Sequence, residues 1–216
     1  MPTLTLSERS FVLAAVGLDM DGVQRDTAYR AYVALCKTVT EFGGTPPDYQ
    51  HYVRAFSHEF LPFYQACGIS ATADEITAIY RRHQDVEELA APFPDVHGFL
   101  AHLAAVSVGA FVVSASRPGR LQGWFTRHGF REFAGVVSTS NHGDKRASLL
   151  AACQTLGVAP TTACYLGDLG CDMRDAREAG LIPIGVTRGY DSREALLDSG
   201  AALVVHSLEE LTPYIQ

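Results

Sequence analysis

Lysine is scarce in this chain, and several other features are missing altogether. Only two of the 17 basic residues are lysines, Lys37 and Lys145, and no run of basic residues offsets the formal net charge of −7. Because nucleic acids bind basic surfaces, this composition argues against a nucleic acid as the main partner. The N-terminus has neither a basic leader nor a long apolar span. We therefore expect no signal peptide, no transmembrane helix and no membrane partner.

The cysteines form no disulfide or metal-binding pattern. The chain has five, none of them with Cys-x-x-Cys spacing, and several lie in apolar runs. An odd number of this kind is typical of reduced thiols in a cytoplasmic protein. A chain of 216 residues buries a substantial core without disulfides. There is no internal repeat and no low-complexity segment, and the oligomeric state cannot be read from the sequence.

The most informative segment is an apolar run that ends in two aspartates. Residues 11–18 are almost wholly apolar, which predicts a strand covered on both faces of a parallel sheet, and Asp19 and Asp21 follow it. In open α/β sheets, ligands bind outside the carboxyl ends of the strands. Two carboxylates this close are tolerated where a divalent cation or a raised pKa relieves their repulsion, and Gly22 permits a turn or a close backbone approach. On these residues alone, a surface turn stays an equal alternative.

Three further segments place polar residues where a strand ends or a helix begins. Residues 110–113 are an apolar run that ends in Ser114-Ala115-Ser116-Arg117, and residues 163–166 are another, followed by Gly167-Asp168-Leu169-Gly170-Cys171-Asp172. Lys145 opens a helical pattern between them. In a chain that otherwise uses arginine, a lysine at this position suggests that a compact ammonium is needed there, although one of two lysines also falls there by chance.

These four segments, in this order, resemble the motifs of the haloacid dehalogenase superfamily, in the branch of phosphoglycolate phosphatases and β-phosphoglucomutases that carries a helical cap. The first motif falls on Asp19, Asp21, Gly22 and Val23, and the second falls on Ser114. The third motif is Lys145, and the fourth falls on Gly167, Asp168 and Asp172. Residues 176–180 match the family's usual Ala-x-x-Ala-Gly helix end, and the resemblance covers nearly the whole chain after residue 10.

The resemblance implies an α/β fold, with a Rossmann-like parallel sheet core and an inserted α-helical cap domain. We expect residues 1–26 and 96–216 to form the catalytic core and residues 27–95 to form the cap. Periodicity predicts three cap helices, around residues 29–39, 52–63 and 73–89. It then predicts core strands at 110–113, 136–139, 163–166, 182–186 and 203–205, with helices between them and a last helix at 208–214. Residues 1–10 are expected to be a short irregular leader.

The resemblance also implies a function, namely a Mg²⁺-dependent phosphatase. Such a phosphoric monoester hydrolase acts on a small phosphorylated metabolite through an aspartyl-phosphate intermediate, with Asp19 as nucleophile and Asp21 as general acid and base. The resemblance assigns catalysis to Asp19, Asp21, Ser114 and Lys145. It assigns Mg²⁺ binding to Asp19, Asp168, the main-chain carbonyl of Asp21 and Asp172, which holds the waters of the ion or orients Lys145. It assigns phosphate binding to Ser114 and Lys145, and we add Ala115 and Arg25 as candidate substrate-binding residues.

Three residues near these motifs have their own interpretations. Arg25 stands where the family usually has an apolar residue, and we expect it either to reach an acidic group of the substrate or to face solvent in the hinge. His142 is expected to be a solvated loop histidine. Trp124 lies in a helical pattern and is assigned to packing.

Two alternative functions stay open. The first is a phosphomutase of the β-phosphoglucomutase type, although Ala31 stands at the position of that group's cap histidine. The second is a non-catalytic binding protein with the same fold, since fold alone does not fix function. This second alternative is disfavoured because every motif residue is present. Dehalogenation and phosphonate cleavage rank third after the phosphomutase, because dehalogenases lack an acid at the position of Asp21 and phosphonate-cleaving relatives need a Schiff-base lysine, for which Lys37 is the only candidate in the cap.

Overall fold

The computed structural model describes residues 1–6, 9–55, 60–86, 90–131, 133–139 and 144–216. They divide into two compact units, one made of Met1–Asp26 and Ala91–Gln216, the other of Thr27–Ala90. The domain boundaries predicted from the sequence place the second junction at residue 95, and that placement stays a prediction. His142 lies outside the described residues.

The first unit is built on a six-stranded parallel sheet, as predicted. Its strands are β3 (Ala15–Leu18), β4 (Gly109–Ser114), β5 (Phe133–Ser138), β6 (Ala163–Gly167), β7 (Ile182–Val186) and β8 (Leu203–Val205). The spatial order is β5-β4-β3-β6-β7-β8, so the chain runs outward from β3 in both directions. The strand order therefore reverses beside β3, and the carboxyl ends of β3, β4 and β6 form the crevice where such folds bind ligands.

Helices connect these strands. They are α5 (Val96–Ala105), α6 (Pro118–His128), α7 (Lys145–Leu156), α8 (Gly170–Glu178) and α9 (Arg193–Asp198). Buried side chains of β4, β6, α7 and α8, including Phe111, Leu149 and Tyr165, form one apolar cluster. This cluster fixes the start of α7 and of α8 against the strands that carry the motif residues. Trp124 on α6 is fully buried, which confirms its assignment to packing.

The second unit is helical. It contains α1 (Ala28–Glu41), α2 (Tyr49–Ala55), α3 (Phe60–Ala66) and α4 (Ala73–Val86), and α1 packs against α4. The helix predicted over residues 52–63 is helical where it is described, in α2 up to Ala55 and in α3 from Phe60, and residues 56–59 between them lie outside the described residues. The predicted end of the last cap helix, at residue 89, also lies outside the described residues. Among the residues that are described, no helix is long and apolar enough to cross a membrane.

The expectation of an irregular leader over residues 1–10 is wrong. Residues Thr3–Leu6 (β1) and Arg9–Val12 (β2) pair as antiparallel strands, and Thr3 exchanges two main-chain hydrogen bonds with Gln216, of 2.7 and 3.0 Å. Leu4 and Leu6 are buried while Thr5 between them is exposed, so the segment has the period-two pattern of a half-buried strand. The apolar run over residues 11–18 therefore belongs to two strands and not to one, since β2 ends at Val12 and β3 begins at Ala15.

The helix predicted over residues 208–214 is not an α-helix. Residues Glu209–Tyr214 form a 3-10 helix that contains Pro213. A proline inside this segment removes a main-chain donor, which is incompatible with a regular α-helix.

Candidate active site

The loop after β3 delivers Asp19 and Asp21. The main-chain N–H of Asp19 still donates to Leu166 of β6 at 2.9 Å, so Asp19 is fixed by the sheet itself. The chain then closes on itself, since the N–H groups of Gln24 and Arg25 both donate to the carbonyl of Met20 and Gly22 donates to the carbonyl of Arg25. Gly22 has a φ of +75°, a conformation that a side chain would strain. The predicted glycine turn is thus present.

Lys145 links two aspartates from different elements. Its Nζ donates to Asp19 Oδ2 at 2.7 Å and to Asp172 Oδ1 at 2.6 Å. Lys145 is the first residue of α7, where Asp144 caps the helix by accepting from Ala147 N, and Asp172 lies in the first turn of α8. All three side chains are buried. An ammonium with three rotatable donors suits this bridge between carboxylates on separate elements.

Asp168 follows β6 and lies in a narrow space. It is 1% exposed, and its Oδ2 accepts from Tyr190 N at 3.0 Å. A Cβ atom added at Gly22 would lie 2.1 Å from this oxygen, and one added at Gly189 would lie 1.9 Å from it. The absence of side chains at these two positions therefore makes room for the carboxylate.

The charges at this site interact strongly. Burial raises the pKa of the Asp19 carboxyl to about 6, although the ammonium of Lys145 acts to lower it. Burial, together with the Asp172 and Asp19 carboxylates, holds the pKa of Asp168 well above its ordinary range. Burial acts to lower the pKa of Lys145, but the same carboxylates, those of Asp172 and Asp19, outweigh it and hold that pKa well above its ordinary range. One ammonium does not fully compensate the buried carboxylates.

These residues fit a divalent cation. One carboxylate oxygen from each of Asp19, Asp168 and Asp172 lies within 4.8 Å of the others, and all three residues are buried. Carboxylate oxygens are the hard ligands that Mg²⁺ prefers, and a cation relieves the mutual repulsion that raises their pKa values. The donor set and its uncompensated charge thus suit a metal site of this kind. The predicted contribution of the Asp21 carbonyl stays a prediction.

The side chain of Asp21 is engaged elsewhere. Its Oδ1 accepts from Arg25 Nε at 2.8 Å and its Oδ2 accepts from Ser116 Oγ at 3.0 Å, while Arg25 Nη2 also donates to Ser116 Oγ at 3.0 Å. Arg25 is 2% exposed, so the alternative that it faces solvent is wrong. Its predicted role in substrate binding stays a prediction.

The second motif lies at the end of β4. Ser114 is fully buried, and its Oγ accepts from the N–H of Ser116 at 3.1 Å. Ala115 is exposed in the loop between them. Their predicted roles toward phosphate stay predictions, although the strand order brings this loop to the same edge of the sheet as Asp19.

Three residues at the site were missed by sequence reasoning. Ser116 touches Asp21, Gln24 donates to the main-chain carbonyl of Asp19 at 2.8 Å, and Gly189 makes room for Asp168. Gln24 had no signal in the sequence, because only the structure shows that its polar side chain is buried. Gly189 had none, since only the fold brings its loop to Asp168.

Comparison with known proteins agrees with this geometry. The chain is 25% identical over 188 residues to a phosphoglycolate phosphatase of Synechococcus elongatus, covering 86% of this chain and 89% of that one. It is 27% identical over 192 residues to an N-acetylmuramic acid 6-phosphate phosphatase of Pseudomonas aeruginosa, covering 82% and 83%. A haloacid dehalogenase-like hydrolase of Streptococcus pneumoniae superposes with a TM-score of 0.81 at 25% identity, covering 94% and 98%.

The family model for haloacid dehalogenase-like hydrolases matches residues 17–186, a range that begins just before Asp19 and includes Ser114, Lys145, Asp168 and Asp172. All these residues meet at one edge of the sheet, next to the point where the strand order reverses. The chain belongs to the haloacid dehalogenase-like hydrolases and is an enzyme of that family.

Proposed function

We propose that this enzyme is a Mg²⁺-dependent phosphatase that cleaves a small phosphorylated metabolite through a phosphorylated Asp19. The observation that carries the proposal is the buried chain of contacts from Asp19 to Lys145 to Asp172, at 2.7 and 2.6 Å, with Asp168 beside it. This arrangement fixes one carboxylate oxygen of Asp19 by an ammonium. A nucleophile held in this way is aligned for attack before the substrate arrives.

The first step transfers the phosphoryl group to Asp19. A carboxylate oxygen of Asp19 forms a bond to phosphorus while the bond from phosphorus to the ester oxygen breaks, and the proton of Asp21 goes to that leaving oxygen. In the second step a water oxygen attacks the same phosphorus, Asp21 takes the proton from that water, and the bond to Asp19 breaks. Asp19 returns as a carboxylate, and inorganic phosphate leaves.

The remaining residues hold charge in place. Lys145 and Ser114 are the proposed donors to the phosphate oxygens, with the main-chain N–H groups of the loop after Asp19. Asp19, Asp168 and Asp172, with the carbonyl of Asp21, are the proposed ligands of Mg²⁺. A bound Mg²⁺ ion supplies positive charge that offsets the negative charge of the phosphoryl group.

The substrate class is a small phosphorylated metabolite. The curated relatives named above are phosphatases of a phosphorylated acid and of a phosphorylated amino sugar. These two compounds differ in size and shape, and they share a phosphate ester and a carboxylate. We therefore infer a phosphate monoester as the reacting group.

The test is phosphate release from a panel of sugar phosphates, phosphorylated acids and nucleotides, measured with Mg²⁺ and with EDTA. We compare the unmodified enzyme with Asp19→Asn, and with Asp198→Asn as a matched control at an exposed aspartate at the end of α9. Release that needs Mg²⁺, disappears in Asp19→Asn and persists in Asp198→Asn supports the proposal. Release that survives in Asp19→Asn contradicts the covalent mechanism.

Absence of release by the unmodified enzyme from every compound contradicts the phosphatase proposal. A second assay then follows the isomer composition of the sugar phosphates in the same panel. Conversion of one isomer into another, without phosphate release, would indicate a phosphomutase instead.

A further inference from the structure

Asp21 is held by two side chains that the family motifs do not include. Arg25 Nε lies 2.8 Å from Asp21 Oδ1, and Ser116 Oγ lies 3.0 Å from Asp21 Oδ2. Arg25 Nη2 donates to the same Ser116 oxygen at 3.0 Å, so the three side chains form a closed triangle. Because each carboxylate oxygen has its own donor, both the position and the plane of the carboxylate are fixed.

Arg25 is itself firmly placed. It is 2% exposed, and its guanidinium carbon lies 5.6 Å from the centre of the Trp124 ring, within the range of a cation–π interaction. Its main chain belongs to the closed loop after β3, through bonds to Met20 and Gly22. The arginine is therefore a fixed support for Asp21 and not a mobile surface residue.

Ser116 is anchored as well. Its main-chain N–H donates to Ser114 Oγ at 3.1 Å, and its carbonyl accepts from Ser138 Oγ at 3.0 Å. Ser114 and Ser138 end the neighbouring strands β4 and β5, so the position of Ser116 is set by the sheet. The Asp21 side chain, in contrast, keeps 36% of its surface exposed. Its support is rigid while its own surface stays accessible to a reacting molecule.

We propose that Arg25 and Ser116 are positioning residues that hold the Asp21 carboxyl group in line with the leaving oxygen of the substrate. This inference rests on the proposed function, in which Asp21 gives its proton to that oxygen. The three contacts fix the direction in which the Asp21 proton is delivered to the leaving oxygen. A carboxyl group without these two contacts turns freely about its side-chain bonds, and proton transfer loses the alignment that it requires.

A direct substrate contact is the competing role for Arg25. Two of its three nitrogens are already bonded to Asp21 and Ser116, but Nη1 is buried and has no hydrogen-bond partner among the residues that the structure describes. An acidic group of the substrate would need to reach this nitrogen. The two roles differ in which substrates they affect, so one experiment separates them.

The experiment measures kcat/KM for three phosphate esters in the presence of Mg²⁺. The first is 4-nitrophenyl phosphate, whose phenolate leaves readily without a proton. The second is ethyl phosphate, whose alkoxide needs one, and the third is 2-phosphoglycolate, an alkyl ester that also carries a carboxylate. The variants are Arg25→Met, Arg25→Lys and Ser116→Ala, and the control is Arg193→Met, which removes an arginine that bonds to the Val204 carbonyl near the β8 edge.

The informative quantity is the ratio of the kcat/KM for ethyl phosphate to that for 4-nitrophenyl phosphate within each variant. This ratio does not depend on the fraction of folded enzyme, and kcat/KM reports the steps up to departure of the leaving group. We expect the ratio to fall by about 10- to 100-fold in Arg25→Met and in the same direction in Ser116→Ala. Arg25→Lys should recover part of it, because a lysine keeps the charge and loses the two-point contact. Arg193→Met should leave the ratio unchanged.

Each other outcome overturns the positioning role in a recognisable way. If a variant lowers kcat/KM equally for 4-nitrophenyl phosphate and ethyl phosphate, its substitution does not affect proton delivery to the leaving oxygen. A loss confined to 2-phosphoglycolate, expressed mainly in KM, assigns Arg25 to the substrate carboxylate instead. Unchanged ratios in both Arg25→Met and Ser116→Ala overturn the proposal while leaving the phosphatase function intact. Absence of release by the unmodified enzyme from all three esters overturns both.

Discussion

Gly189→Ala tests whether the space around Asp168 controls metal binding. A methyl group at position 189 would lie 1.9 Å from Asp168 Oδ2 and 2.4 Å from its Cβ and Cγ, whereas side chains essentially never approach below 3.0 Å. The carboxylate must therefore withdraw by roughly 1 Å, and it then loses its 3.0 Å bond from Tyr190 N. Misplacement of a reacting group by 1 Å costs about 10²-fold, so we expect a loss of this order in activity at low Mg²⁺.

The assays for this variant separate metal binding from folding. Mg²⁺ titrations followed by thermal unfolding should show weaker stabilisation by the ion, and phosphate release should need more Mg²⁺ for half-maximal rate. The cost in unfolding free energy without metal should be about 1–3 kcal/mol, the usual effect of overpacking. Gly98→Ala is the control, because a methyl group there meets no atom within 4 Å. Identical Mg²⁺ dependence in Gly189→Ala and the unmodified enzyme would refute the reasoning.

Three further outcomes follow from the site. Lys145→Arg should lower phosphate release by about 10²-fold, because a planar guanidinium does not reproduce the contacts of an ammonium buried 2.7 and 2.6 Å from two carboxylates. Lys37→Arg, at an exposed position, is the control and should leave the rate unchanged; equal rates in the two variants would contradict this explanation. Arg188→Leu should lower the unfolding free energy in urea by about 3 kcal/mol, since it removes the cation 2.7 Å from the Asp95 carboxylate and leaves that charge with main-chain donors such as Leu208 N. A double variant with Asp95→Asn should lose less, because the amide oxygen still accepts from Leu208 N and no unpaired charge remains; a double variant that loses more would refute the explanation. With Mg²⁺ removed and no chelator present, orthovanadate should bind Asp168→Asn more tightly than the unmodified enzyme, because the variant lacks one of the buried carboxylates that repel the anion. Equal affinity in calorimetry would contradict this explanation.

The sheet and the buried carboxylates were predictable because their signals are local. An apolar run that ends in an aspartate, as before Asp19 and before Asp168, marks a buried strand and its carboxyl end without any knowledge of the fold. Lys145 was predictable because it opens a helix and because lysine is otherwise almost absent. Once the strands are parallel, these ends must meet at one edge of the sheet.

The contacts of Arg25 were not predictable, because they join residues far apart in the chain. Ser116 is 91 positions from Arg25 and 95 from Asp21, and only the pairing of β3 with β4 brings them together. From the sequence, an arginine beside the first motif was compatible with a solvent-exposed side chain. Its burial depends on Trp124, whose position is set by the packing of α6. Long-range partners of this kind carry no periodic signal.

The distribution of charge explains why the two basic residues at the site have different roles. Three buried carboxylates, those of Asp19, Asp168 and Asp172, face one ammonium, that of Lys145, which leaves two negative charges for a divalent cation to offset. Arg25 does not change this balance while Asp21 is ionised, because its charge is then matched by the Asp21 carboxylate at 2.8 Å. An arginine that added free positive charge would compete with the cation for the same carboxylates. Because Arg25 is paired with Asp21, it determines the orientation of the Asp21 carboxyl group. The charge that surrounds a bound phosphate group is determined by Lys145 and the three buried carboxylates.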